Sequence, residues 1–119
     1  MKLLIVDDST IMRIAIQKIL SDKEIEIVGQ ANNGRDAIEL FKSTNPDFVT
    51  MDITMPEMDG LTCLEAILKL KPEVKVLVVT ALNSEAILLQ ALKKGAKGFL
   101  NKPFTPDKLR DAFTKMVST

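Results

Sequence analysis

Five short apolar runs, each followed by a stretch of helical periodicity, constrain the fold of this chain more than any other feature. The alternation repeats without a linker or a change of composition. Parallel strands joined by helices satisfy such a pattern, because each crossover helix covers one face of the sheet. We therefore predict an α/β fold in which residues 1–119 form a single domain. The runs are Leu3–Val6, Ile25–Val28, Phe48–Met51, Val74–Val79 and Phe99–Leu100.

The composition of the runs predicts their order in the sheet. Leu3–Val6 and Val76–Val79 are apolar throughout, which is typical of strands covered on both faces. Residues 24–27 alternate between Glu and Ile, which is typical of an edge. An edge second strand favours the order 2-1-3-4-5, so that strands one, three, four and five lie side by side.

Capping and stop signals delimit the helices. Gly95 predicts the end of the fourth helix. Helix starts are predicted at Ser9-Thr10, Asn33-Gly34 and Thr105-Pro106.

Composition excludes several classes of function. The 16 basic and 16 acidic side chains balance, and no apolar run approaches the roughly 20 residues of a membrane span. The single Cys63 suits a reducing compartment, and Met1-Lys2 leads into a strand without a signal-peptide pattern. The chain has no His, which excludes Ser-His-Asp catalysis, histidine metal ligation and phosphohistidine on this protein. We predict a cytoplasmic protein with neither a nucleic-acid nor a membrane partner.

Acidic residues follow two of the predicted central strands. Asp7 and Asp8 follow the first strand and Asp52 follows the third. Two carboxylates about 4 Å apart repel by about 4 kcal/mol at an effective dielectric constant near 20, so three together favour a bound cation. Oxygen ligands of this kind predict Mg²⁺. The alternative for Asp7-Asp8 is a pair that only caps the first helix.

Asp52, Thr80 and Lys102 together predict phosphoryl chemistry. A carboxylate such as Asp52 can attack phosphorus to form an aspartyl phosphate, while a threonine hydroxyl and a lysine ammonium can hold the phosphoryl oxygens. The alternatives are a loop start at Asp52 with a turn explained by Pro56 and Asp59-Gly60, an ordinary strand end at Thr80, and a solvated Lys102.

The fourth predicted helix is rich in apolar residues and suggests a docking surface. Leu88 and Leu92 lie one turn apart and are expected to line this surface beside Phe99. The alternative is a broad core face with scattered exposed apolar residues.

The acidic residues, Thr80 and Lys102 occur in an order and spacing that resemble the response-regulator receiver domain. The resemblance covers essentially all 119 residues. The opening VDDSTIMR is most similar to stand-alone chemotaxis regulators of the CheY type. The resemblance implies a flavodoxin-like, doubly wound (βα)5 fold with strand order 2-1-3-4-5 and no separate output domain. The segments that carry it are Asp7-Asp8, Asp52 in MDITMPEMDG, Thr80-Ala81 and Lys102-Pro103-Phe104.

The resemblance also implies roles at the metal and phosphoryl site. Asp52 would be the phosphoacceptor. Mg²⁺ would be bound directly by Asp8, largely through water by Asp7, and by the backbone carbonyl of Thr54. Thr80 and Lys102 would contact the phosphoryl group.

A switch and a partner surface are implied as well. Phe99 would change rotamer as Thr80 shifts, although many chemotaxis members carry Tyr there and Phe lacks its hydroxyl. Thr54 and Leu82 occupy positions that tune acyl-phosphate lifetime. The partner-binding residues would be Leu88, Leu92, Phe99 and Lys102.

The predicted function is a monomeric, phosphorylation-controlled switch rather than an enzyme with a separate substrate. A CheA-like histidine kinase would be the donor, and a flagellar motor switch component the target. A phosphatase is a further expected partner. Three alternatives remain: a phosphorelay shuttle to a histidine phosphotransfer protein; a small aspartate-nucleophile phosphatase, disfavoured by Thr54; and a flavodoxin-like cofactor binder, disfavoured by the acidic loop after strand one.

Overall fold

The computed structural model describes residues 1–55 and 58–119, and five strands within them form one parallel sheet. The strands are β1 Lys2–Val6, β2 Glu26–Ala31, β3 Phe48–Met51, β4 Lys75–Thr80 and β5 Gly98–Asn101. The helices are α1 Thr10–Ile19, α2 Gly34–Thr44, α3 Gly60–Leu70, α4 Glu85–Lys93 and α5 Pro106–Val117. The turn predicted at Pro56 lies outside the described residues.

The sheet order is β2-β1-β3-β4-β5, which confirms the predicted doubly wound topology. Strand β2 lies at the edge, as its alternating pattern predicted, but it begins at Glu26. Ile25 instead forms an isolated antiparallel bridge with Asp22. Because β1 and β3 are neighbours while their crossovers diverge, the carboxyl ends of these two strands form the switch point of the sheet.

Helices cover both faces of the sheet. One face packs against α2, α3 and α4, and its core includes Leu4, Val49 and Leu64. The other packs against α1 and α5, and its core includes Ile5 and Phe113. Successive residues of β1 therefore point into different cores, which explains why this strand is apolar throughout.

Side-chain caps fix where the helices begin, and so where each loop at the sheet edge ends. Ser9 caps α1, Asn33 caps α2 and Thr105 caps α5, as predicted. Gly95 follows α4 with a φ of 108°, a conformation that glycine adopts readily.

The helices within the described residues are all too short or too polar to cross a membrane.

Candidate functional site

Backbone pairing continues past the ends of the central strands and fixes the acidic residues. The Asp52 amide donates to the carbonyl of Val6 at 3.0 Å, and the Asp7 amide donates to the carbonyl of Ala31 at 3.0 Å. Asp7 and Asp52 are therefore held by the same ladder that builds the sheet, on adjacent strands. This explains how two side chains 45 positions apart in the chain meet at one edge.

Asp7, Asp8 and Asp52 form one cluster of carboxylates. Each offers an oxygen that lies within 4.8 Å of the oxygens of the other two. Asp7 and Asp52 are only 1% and 4% exposed, whereas Asp8 is exposed. Backbone amides orient the buried pair: Ser9 donates to Asp7 Oδ1 at 2.9 Å and Thr54 donates to Asp52 Oδ1 at 3.2 Å. The cluster is thus built into the fold and open to solvent on the side of Asp8.

Lys102 is the cation that faces this cluster. Its Nζ lies 2.7 Å from Asp7 Oδ2 and 3.6 Å from Asp52 Oδ2, and only 14% of the side chain is exposed. One ammonium leaves three converging carboxylates with an excess of negative charge. An all-oxygen donor set with this charge fits a hard divalent cation such as Mg²⁺.

Burial raises the pKa of Asp52 from 3.8 to about 6. Loss of solvation is the largest cause, and the charges of Asp7 and Asp8 act in the same direction. The ammonium of Lys102 and the amide of Thr54 oppose them. The Asp52 carboxylate is therefore destabilised relative to one in water, yet it stays mainly ionised at neutral pH.

Thr80 is the last residue of β4, and its side chain is fully buried. Its Oγ1 accepts a hydrogen bond from the Leu82 amide at 3.1 Å, and its carbonyl accepts one from the Lys102 amide at 2.8 Å. This backbone hydrogen bond places Thr80 beside the strand end that carries Lys102. The bond between Lys102 and Pro103 is cis.

The residues predicted to bind partners lie away from the carboxylates, apart from Lys102. Phe99 is half-buried and packs against the core beneath α2, α3 and α4. Leu92 is 45% exposed, whereas Leu88 is half-buried. Leu89, at 56% exposure, is the more accessible neighbour on this helix. Their binding role stays a prediction.

Two residues that shape the site were not identified from the sequence. The Arg13 guanidinium donates to the Asp7 carbonyl at 2.6 Å, which holds the loop that carries Asp8. A Cβ added to Gly60 would lie 2.2 Å from the Asp52 carbonyl oxygen and 2.5 Å from Ile53 Cα. The position of Arg13, five residues after Asp8, was a weak signal of a contact with the acidic loop. The close approach at Gly60 depends on backbone contacts that sequence spacing does not reveal.

Comparisons with known proteins agree with this arrangement. The family model described as the response regulator receiver domain matches residues 3–114. The chemotaxis protein CheY of Thermotoga maritima is 43% identical over 115 residues, which are 97% of this chain and 96% of the relative. A protein-glutamate methylesterase/protein-glutamine glutaminase of Archaeoglobus fulgidus is 45% identical over 105 residues, which are 87% of this chain and 30% of that protein.

A solved structure shares nearly the whole fold. It is the crystal structure of a CheX-CheY-BeF3-Mg complex from Borrelia burgdorferi, with a TM-score of 0.92 and 35% sequence identity. The match covers 98% of this chain and 88% of that one.

Proposed function

Because this chain belongs to the response regulator receiver family and is a CheY-like member of it, we propose that it is a phosphorylation-controlled switch. Asp52 accepts a phosphoryl group from a phosphohistidine of a CheA-like histidine kinase. The phosphorylated protein adopts a changed conformation that binds a partner protein, as expected in chemotaxis.

The observation that carries this proposal is the setting of Asp52: a buried carboxylate with two further carboxylates in the cluster and the Lys102 ammonium 3.6 Å away. In the transfer, an Asp52 carboxylate oxygen forms the new P–O bond as the P–N bond to the donor histidine breaks. The electron pair of that bond stays on the histidine nitrogen, and the imidazole leaves in its neutral form after taking up a proton from solvent. The nucleophile needs no base, because Asp52 is mainly ionised at neutral pH.

Asp7, Asp8 and Asp52, with the carbonyl of Thr54, are the groups that would hold Mg²⁺. When bound, the ion neutralises the excess negative charge of the cluster and of the phosphoryl oxygens. Lys102 already spans Asp7 and Asp52, so its ammonium lies within reach of an oxygen of a group on Asp52. The Thr80 hydroxyl has a proton to donate even while it accepts from Leu82.

The surface formed by α4, β5 and α5 is the proposed partner-binding surface. It exposes Leu89 and Leu92, and it includes the half-buried Phe99. Residues 81–119 carry seven basic and three acidic side chains, whereas residues 1–60 carry six basic and eleven acidic ones. A groove of about 360 Å³ between β5 and α5 is bordered by three lysines, Lys97, Lys108 and Lys115, and by one acidic residue, Asp111, which pairs with Lys115. An apolar segment with acidic residues fits this surface, and a flagellar motor switch component or a phosphatase would present it.

Labelling with a small phosphoryl donor tests the proposal. With phosphoramidate and Mg²⁺, the wild-type protein should gain an acyl phosphate that hydroxylamine removes. Asp52→Asn should abolish the label, whereas Asp111→Asn, which changes an exposed carboxylate on α5, should keep it. A label that persists in Asp52→Asn, or that resists hydroxylamine, would place the chemistry on another residue.

The phosphorelay alternative has the same site and differs only in where the phosphate goes. Labelled protein mixed with a histidine phosphotransfer domain should keep its label, apart from hydrolysis, if the protein is a switch. Rapid transfer of the label to that domain would identify a shuttle instead.

A further inference from the structure

The loop between β4 and α4, residues 81–84, is fastened to the end of β5 by one side chain. Asn101 Nδ2 donates to the Leu82 carbonyl at 3.0 Å. Within the described residues, no other side-chain hydrogen bond joins residues 81–84 to an element besides β4 and α4, the two elements that the loop connects. The Leu82 amide in turn donates to Thr80 Oγ1 at 3.1 Å. The Asn101 amide therefore acts on the residue whose backbone positions the Thr80 hydroxyl.

The two ends of α4 are held very differently. At the carboxyl end, Ala91 and Ala96 are buried, and Lys94 forms an ion pair with Glu65 of α3. At the amino end, residues 81–86 are all exposed. The helix is thus anchored where it ends and weakly held where it begins, so a single hydrogen bond to Leu82 has little competition in setting the position of the loop.

We propose that Asn101 is a positioning residue that preorganises the phosphoryl-binding groups Thr80 and Lys102 as one unit. Asn101 is the partner of Thr80 in the β4–β5 register, and the Lys102 amide donates to the Thr80 carbonyl at 2.8 Å. The backbone pair fixes the two strand ends, and the Asn101 side chain extends that order into the loop. This inference rests on the proposed function, because it concerns the groups that receive the phosphoryl oxygens.

The hydrogen-bond donor of the Asn101 side chain, and not merely the volume of that side chain, positions the loop. Asn101 is exposed, so replacing it with Leu keeps the approximate shape and removes the donor without opening a cavity in the core. Asn83 offers a matched control, because it is an exposed asparagine in the same loop. Asn83→Leu alters the loop to a similar degree but leaves the bond between Asn101 and Leu82 in place.

The first measurement needs neither metal nor phosphate. Amide hydrogen exchange in the presence of a chelator should be about threefold faster at Leu82 in Asn101→Leu than in wild type, the change expected for loss of one exposed hydrogen bond. Asn83→Leu should exchange at the wild-type rate, and Asn101→Ala should behave like Asn101→Leu. Unchanged exchange at Leu82 in both Asn101 variants would overturn the inference whatever the protein does with phosphate.

The second measurement is the affinity for beryllofluoride at saturating Mg²⁺, followed by NMR. Asn101→Leu should bind beryllofluoride about threefold more weakly than wild type. Its Mg²⁺ affinity should be unchanged, because the hydrogen bonds of Asp7 and Asp52 are made with residues outside 81–84. Equal or tighter beryllofluoride binding by Asn101→Leu would refute the preorganising role. Failure of the wild-type protein to bind beryllofluoride would instead refute the proposed function, while the exchange result would still stand.

Discussion

Asp52 is the residue at which burial and charge oppose each other most clearly. Its pKa is raised from 3.8 to about 6, mainly by loss of solvation. Because the folded protein holds this proton more tightly than the unfolded chain does, the stability that protonated Asp52 contributes is fully present below about pH 4 and is lost as the pH rises through about 6. In the metal-free protein at neutral pH, the ionised Asp52 is therefore a source of instability.

Replacing Asp52 with Asn should stabilise the metal-free protein. We expect the free energy of unfolding at pH 7, measured with urea in a chelator, to rise by about 2 kcal/mol. The gain should shrink as the pH falls from 6 to 4. Glu73→Gln, which changes an exposed carboxylate, should have little effect. If Asp52→Asn were less stable than the wild type at pH 7, the ionised Asp52 carboxylate would not be destabilising in the folded protein.

Gly60 determines how closely α3 approaches the end of β3. A Cβ at this position would lie 2.2 Å from the Asp52 carbonyl oxygen, and backbone atoms there cannot move aside cheaply. We expect Gly60→Ala to lower the free energy of unfolding by about 2 kcal/mol or more and to reduce phosphorylation of Asp52. Gly29→Ala is the control for the loss of a glycine, because its nearest neighbours are side-chain atoms at 3.4–3.5 Å. Similar losses in the two variants would contradict the argument.

At the scale of the element, strand β3 contains an unsatisfied hydroxyl. Thr50 is 1% exposed, and within residues 1–55 and 58–119 its Oγ1 has no hydrogen-bond partner. Burying a hydroxyl without a partner is unfavourable, and valine has nearly the same shape. We expect Thr50→Val to raise the free energy of unfolding by about 1 kcal/mol in urea denaturation. Thr62→Val, which removes a hydroxyl that contacts Asp59, should not stabilise the protein.

The elements that local chemistry specifies were predicted well from the sequence. Ser9, Asn33 and Thr105 cap helices where expected, because a cap is a contact between residues three apart. The edge position of β2 was predicted from its alternating composition, because the central strands are almost entirely buried and β2 is only partly buried. The order 2-1-3-4-5, which this edge position favoured, was confirmed. The start of β2 was wrong by one residue, since the bridge between Asp22 and Ile25 competes with strand pairing there.

Features that depend on contacts between distant elements could not be predicted in the same way. The sequence predicted that Asp7, Asp8 and Asp52 converge, because parallel strands end at one edge. It gave no indication that the Asn101 amide reaches Leu82, a contact between residues 19 positions apart in the chain. It also suggested Leu88 and Leu92 as a pair, although the packing of α4 leaves Leu89 more exposed than either.

At the scale of the whole molecule, the acidic cluster would couple metal binding to the stability of the fold. The cluster joins the loops after β1 and β3, and unfolding separates its members. A cation that requires all three carboxylates therefore binds the folded protein and hardly binds the unfolded chain. Such a ligand stabilises the fold by about 2.7 kcal/mol at one hundred times its dissociation constant.

Millimolar Mg²⁺ should accordingly raise the melting temperature of the wild-type protein by several degrees. Asp8→Asn should show a smaller rise, and because Asp8 is exposed the variant should keep its fold. Sodium chloride at matched ionic strength separates specific binding from screening of the excess negative charge. If sodium chloride raised the melting temperature as much as Mg²⁺ did, or if Asp8→Asn responded to Mg²⁺ like the wild type, the three carboxylates would not form a divalent-cation site.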